Sequence, residues 1–185
     1  GRSSVATLAR SFLHGRPAFI QHNLSEHLGR AIEGRLAEEV FDWVHVNQID
    51  TYHYVEKYTA SPIVLDTHNL HWGYYARRAE HASNPIMSIL YGRDARLLKK
   101  YETSAFRACA KVLVCSEDER VIIDGLDNTL PVAVVPNGVD CEEHRPGSHD
   151  AFDNGAEILF VGDMAYAPNH EGVIEFIQVV LPLVK

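Results

Sequence analysis

A doubly wound α/β protein built on a parallel sheet is the fold class this sequence predicts. Five short apolar runs recur along the chain, helical stripes fall between them, and most runs end in polar or glycine-containing turns. The runs are Trp43-Val44-His45-Val46, Ile63-Val64-Leu65, Val112-Leu113-Val114-Cys115, Val132-Ala133-Val134-Val135 and Ile158-Leu159-Phe160-Val161. Apolar runs without polar alternation suit strands covered on both faces, as parallel strands are when helices cross over them. Strand and helix in alternation imply right-handed crossovers.

The elements follow in order. The opening stretch is basic, with Arg2, Arg10 and Arg16 ahead of the first acid, Glu26. A solvated helix is the favoured reading there, ahead of a membrane-facing amphipathic surface or a transit peptide. Leu24, Leu28, Ile32 and Leu36 recur every four residues, which sets them on one helix face, with Asn23 or Ser25 as its cap. A longer helix is predicted over about 87–109, with Ile89, Leu90, Leu97, Leu98, Tyr101 and Ala105 as its apolar stripe. A third helix starts at Ser116, and a fourth near Pro168 carries Val173, Phe176, Ile177, Val180 and Leu181. Between them, Asn137-Gly138, Arg145-Pro146-Gly147-Ser148 and Asp153-Asn154-Gly155 are loop chemistry. The expected division is a first domain over 1–136, a linker over 137–156, and one strand–helix unit of a second domain over 157–185.

Composition narrows the function. The 185 residues hold 17 Lys plus Arg against 25 Asp plus Glu, a net charge of −8. That balance argues against a nucleic-acid partner, which calls for a basic surface. Three cysteines without CxxC spacing, Cys109, Cys115 and Cys141, do not make a disulfide framework and suggest a reducing compartment. No apolar run reaches the ~18–20 residues of a membrane span. The cytoplasm is the expected location, with the basic opening stretch as a candidate contact for the inner face of a membrane. A first residue that is glycine and a last residue that directly follows a helical pattern suggest a fragment.

The strongest local signal is Asp66-Thr67-His68-Asn69, directly after the second strand. Ligands of open α/β sheets bind outside the carboxyl ends of the strands, so His68 and Asn69 are candidate binding residues. His68 and His71 alone do not make a metal site, which needs three or four ligands, and no metal is expected. Ser116 with Glu119 fits a capping box, with anion binding as the functional alternative. Gly162 lies in a strand–turn–helix passage, Val161-Gly162-Asp163-Met164 then Tyr166-Ala167-Pro168-Asn169, where a phosphate can approach backbone amides. Arg93, Arg96, Lys99 and Lys100, with Asp94 and Glu102 between them, are read as a solvated face, and the cysteines as structural.

The order of these motifs resembles the GT-B retaining glycosyltransferases of family 4, and in particular bacterial polysaccharide-type sugar transferases. The resemblance rests on Phe41-Asp42-Trp43-Val44-His45-Val46, Val64-Leu65-Asp66-Thr67-His68-Asn69, Tyr101-Glu102 with Lys111 to Glu117, Val135-Pro136-Asn137-Gly138-Val139-Asp140, and Ile158 to Gly162 with Phe176 and Pro182. It spans roughly residues 17–185. It implies two Rossmann-like domains, the first incomplete and acceptor-binding, the second donor-binding and represented by its first strand–helix unit. It also implies transfer of a sugar from a nucleotide-diphosphate sugar to an acceptor hydroxyl, a sugar or a lipid-linked one, with retention. His68 carries over as the cleft histidine at the donor sugar, and Gly162 and Asn169 as the loop near the donor diphosphate. No cofactor is implied, because the nucleotide sugar is a substrate.

The chain also departs from that pattern. Asp163 and Asn169-His170 stand where many members carry basic residues, and His71 stands where the subgroup often has Glu. The glycine-rich loop and the E-x7-E donor motif are missing, so this piece by itself is expected to be inactive. A nucleotide-sugar epimerase of the same fold and a non-catalytic nucleotide- or sugar-binding module are the alternatives.

Overall fold

The computed structural model describes residues 4–145 and 158–184, and the chain divides after Gly138 into two compact units. The first unit is α/β. Helices α1 (Ser4–His14), α2 (Ala18–His22) and α3 (Glu26–Glu38) precede β1 (Val44–Asn47). Then come α4 (Ile49–Tyr52), β2 (Ile63–Thr67), α5 (His71–Glu80), α6 (Pro85–Ala108), β3 (Lys111–Val114), α7 (Glu117–Asp124) and β4 (Val132–Val134). The four strands form one parallel sheet in the order β1-β2-β3-β4, with Val44 opposite Ile63, Val64 opposite Lys111 and Val112 opposite Val132.

That order is monotonic. Crossovers that all step the same way with the same hand drop their helices on one face. Burial agrees: Val46, Ile63, Leu65, Val112 and Val114 pack with Ile49, Tyr52, Val55, Phe106 and Ile123 in one core. The other face carries His45, Val64, Asp66, Leu113 and Ala133, all partly or fully exposed. Covering on both faces, expected from the unbroken apolar runs, is therefore corrected to covering on one. The strand-order reversal that defines double winding does not occur among these four strands.

The helix starts are where the sequence was most legible. Ser25, one of the two expected caps, closes α3 by accepting from Leu28 N at 3.3 Å, while α6 begins at Pro85, ahead of the expected start near 87, with Asn84 accepting from Ile86 N. Leu28 lies exposed although Ile32 and Leu36 reach the core. A four-residue spacing advances about 40° per step around a helix of 3.6 residues per turn, so one end of the stripe slides off the packed face.

Helix α6 also closes two other helices with buried carboxylates. Asp94 accepts from Ala18 N (3.0 Å) at the start of α2, and Glu102, 1% exposed, accepts from His71 N (3.0 Å) and Trp72 N (3.3 Å) at the start of α5. Each supplies negative charge and an acceptor to amides with no partner inside their own helix. Arg93 corrects the reading of a solvated basic face. It is partly buried, donates to Ser11 Oγ (2.9 Å), Ser11 O (3.0 Å) and Asp94 Oδ1 (2.9 Å), and lies over the Phe12 ring. Arg96, Lys99 and Lys100 are exposed, as expected.

In the second unit, Ile158-Leu159-Phe160-Val161 is not a strand, and all four residues are exposed. A strand needs a neighbour for its N–H and C=O groups, and among the described residues of this unit none is present. The expected strand–helix unit is thus corrected to a helix alone. Helix α8 (Ala167–Glu175) runs through a π-helical turn (Phe176–Val180) into α9 (Leu181–Val184). Pro182 has no N–H to give and its ring crowds the preceding turn, which the wider π turn accommodates. Residues 146–157, holding the expected Pro146-Gly147-Ser148 and Asp153-Asn154-Gly155 turns, lie outside the described residues, as does Arg2.

Burial also sorts the thiols. Cys109 is buried and its thiol is pushed up to about 12 by desolvation, while Cys141 is exposed. Iodoacetamide at pH 8 should alkylate Cys141 in the folded chain and reach Cys109 only in denaturant. Intact-mass and peptide mass spectrometry check this; native alkylation of Cys109 would contradict it.

Candidate functional site

The carboxyl ends of the parallel strands form a polar edge. Because β1, β2, β3 and β4 are in register, the residues that follow them stand side by side: Asn47-Gln48, His68-Asn69, Cys115-Ser116 and Val135 to Asn137. His68 is exposed, and its Nε2 lies 2.8 Å from Asn47 Oδ1. A carboxamide oxygen only accepts, so this contact assigns the proton to Nε2 and leaves Nδ1 as the acceptor of the neutral ring. Asp66 Oδ2 lies 3.9 Å from His68 Nε2 and 3.6 Å from His45 Nε2, on the open face of the sheet. The arrangement holds an imidazole by one nitrogen, offers the other to a ligand hydroxyl, and keeps a carboxylate near any positive charge that develops.

Asn69 is exposed, and its backbone carbonyl accepts from Thr67 Oγ1 at 3.0 Å. Ser116 is the N-cap of α7, accepting from Glu119 N at 3.3 Å, while Glu119 Oε2 accepts from Cys115 N at 3.2 Å. The second half of the box thus reaches one residue further back than the standard pattern. Cys115 Sγ contacts Asn137 Oδ1 at 3.8 Å. His71 does not join His68. It begins α5, stacks on Phe19 with ring centroids 4.4 Å apart, and sets its Nδ1 3.4 Å from the buried Glu102. Among the described residues no group of three or more His, Cys, Asp and Glu side chains is arranged to hold a metal ion. No helix among them is long and apolar enough to cross a membrane.

No family model, curated protein or solved structure matches the chain.

Gly162 and Asn169 belong to the second unit. Asn169 Nδ2 donates to Asp163 O at 3.1 Å, and Asp163 Oδ1 accepts from Ala165 N at 2.8 Å. A Cβ on Gly162 would sit 2.8 Å from Asn169 Nδ2 and 2.9 Å from the Phe160 ring, so a larger residue there would have to push those two side chains aside. The Asn169 amide nitrogen is engaged within its own loop, and its oxygen has no partner among the described residues.

Two residues of the strand-end edge carry no sequence signal of their own. Asn47 meets His68 because β1 and β2 pair in register. Gln48 has φ 75° and ψ 146°, a combination that glycine adopts readily and a glutamine only under strain, and its Oε1 is buried without a partner. Its N–H donates to Asp66 O at 2.9 Å and its carbonyl accepts from Thr51 Oγ1 at 2.9 Å, and these bonds hold the strained residue in place. Gln48→Gly should raise stability by about 1 kcal/mol, the relief of ~1–3 kcal/mol of backbone strain less the entropy cost of glycine. Urea denaturation measures it, and a fall in stability would show that the conformation is unstrained.

Proposed function

We propose that this chain is part of a retaining glycosyltransferase of the GT-B type, moving a sugar from a nucleotide-diphosphate sugar to an acceptor hydroxyl in polysaccharide or glycoconjugate synthesis. The reading rests on His68, which stands at the carboxyl end of a parallel strand with Nε2 held by Asn47 and the ring open to solvent. A ligand of such a sheet meets that edge first. The resemblance of the motifs around His68, Ser116, Asn137 and Gly162 supports it.

In this reading His68 Nδ1 accepts a hydroxyl of the donor sugar. The bond from the anomeric carbon to the diphosphate oxygen breaks, the bond to the acceptor oxygen forms on the same face, and the acceptor proton leaves with the diphosphate. Asp66, beside the imidazole, opposes the positive charge of the oxocarbenium-like sugar. Asn69 and Ser116 contribute substrate contacts at the same edge. The nucleotide sugar is a substrate, and no resident metal or cofactor takes part.

The test is direct. The product of the whole open reading frame that encodes this chain is incubated with UDP-, GDP- and dTDP-hexoses, and nucleotide diphosphate release is followed with and without lipid-linked and free sugar acceptors. Acceptor-dependent release supports the transferase; interconversion of nucleotide sugars without an acceptor would replace it with an epimerase.

A further inference from the structure

Away from the strand-end edge, a cavity of about 650 Å³ opens in the first unit among α1, α2, α3 and the segment that follows α4. Four Arg and Lys side chains line it: Arg10, Arg16, Arg30 and Lys57. None makes an ion pair among the described residues. Arg16 is set there by construction. Gly15 takes φ 63° between α1 and α2, Ser11 Oγ donates to Arg16 O, and Arg93 clamps Ser11. The turn is fastened through its backbone, and the guanidinium is left for the cavity.

The uncharged lining makes a second demand. Gln21 is 4% exposed, yet its Oε1 has no hydrogen-bond partner. Both ring nitrogens of the half-buried His53 are shielded from solvent, with the Asp50 backbone beside the ring. Burial, against the Asp50 backbone hydrogen bond and with a smaller push from Arg16, holds the His53 ring below the usual histidine range. Each unsatisfied buried group costs stability that a bound molecule can return. An amide oxygen calls for a hydroxyl hydrogen, and a neutral imidazole can both give and take one.

Glu26, Glu33 and Glu56 also face the cavity, so four cations stand against three carboxylates. That balance suits one phosphate and is too weak for a polyphosphate, and carboxylates accept well from sugar hydroxyls. We infer that this cavity binds a sugar phosphate, with Arg10, Arg16, Arg30 and Lys57 around the phosphate and Gln21 and His53 reading hydroxyls. The site stands independently of the transferase reading, because it uses none of the residues at the strand ends.

The experiment is calorimetric titration of the 185-residue chain with hexose 1-phosphates and 6-phosphates, the corresponding free hexoses, and inorganic phosphate. At least one hexose phosphate should bind with 1:1 stoichiometry, and its hexose and inorganic phosphate each at least about tenfold more weakly. Arg16→Gln and Arg30→Gln, both at exposed positions, should each lower its affinity by about tenfold to a hundredfold with the far-UV spectrum unchanged. The side-chain amide resonance of Gln21 should shift on binding. Absence of saturable binding by every phosphate, equal binding of inorganic phosphate (an adventitious ion only), or full affinity in both variants would each overturn the assignment.

Discussion

His68→Ala is expected to lower turnover in sugar transfer by about 10²–10³, the loss of one preorganised contact worth ~2.7–4 kcal/mol in the transition state. The melting temperature should move by no more than about 2 °C, because an exposed side chain with a single hydrogen bond contributes little to the fold. His71→Ala supplies the contrast. That ring is stacked on Phe19 beside Glu102, so its removal should lower the melting temperature and leave transfer comparatively intact. Steady-state kinetics on the product of the whole reading frame, with thermal melts of the same preparations, separates the two. Near-parental turnover in His68→Ala would remove His68 from the chemistry and take the proposed function's main support with it.

The largest loss of stability is expected at Glu102. Its carboxylate, almost wholly buried, accepts the first two amides of α5 from across the helix pair. Alanine there leaves both amides without an acceptor and opens a cavity beside His71. Hydrogen bonds to charged groups are worth ~1.5–3 kcal/mol each, and unmaking them in the interior exposes the full desolvation cost. A loss of about 3 kcal/mol follows, seen as a fall of roughly 6–12 °C in melting temperature for a chain of this size. Glu102→Gln retains one acceptor and should lose less. An alanine variant that melts within about 2 °C of the parent would show that water replaces the carboxylate.

Four of the five apolar runs were legible as strands because β-branched residues fit a pleated, half-buried surface wherever a neighbour exists. Ile158 to Val161 has the same composition, but among the described residues of its unit there is no neighbouring strand for it to pair with. Ser25 and Ser116 could be read as caps because capping is local. The Asn47–His68 contact could not, since it depends on register between segments 21 positions apart. Likewise, nothing in the type of residue 48 announces a left-handed conformation, because glutamine has no preference for it. Arg93 was misread for a similar reason: its partner Ser11 lies 82 positions away, so the local charge pattern indicated solvent.

The monotonic strand order has a consequence for how the chain assembles during synthesis. Val44 pairs with Ile63 19 positions later, and Val112 with Val132 20 positions later, so each new strand docks beside the one just made. No strand has to wait for a later one to slot between itself and its neighbour. The one long excursion, 47 positions from Val64 to Lys111, is folded back on itself by the α5–α6 pair. Closing a loop costs only about (3/2)RT ln n, so that helical hairpin brings β3 to β2 with little entropy left to lose. These four strands can therefore add one after another, from β1 towards β4, as the polypeptide emerges.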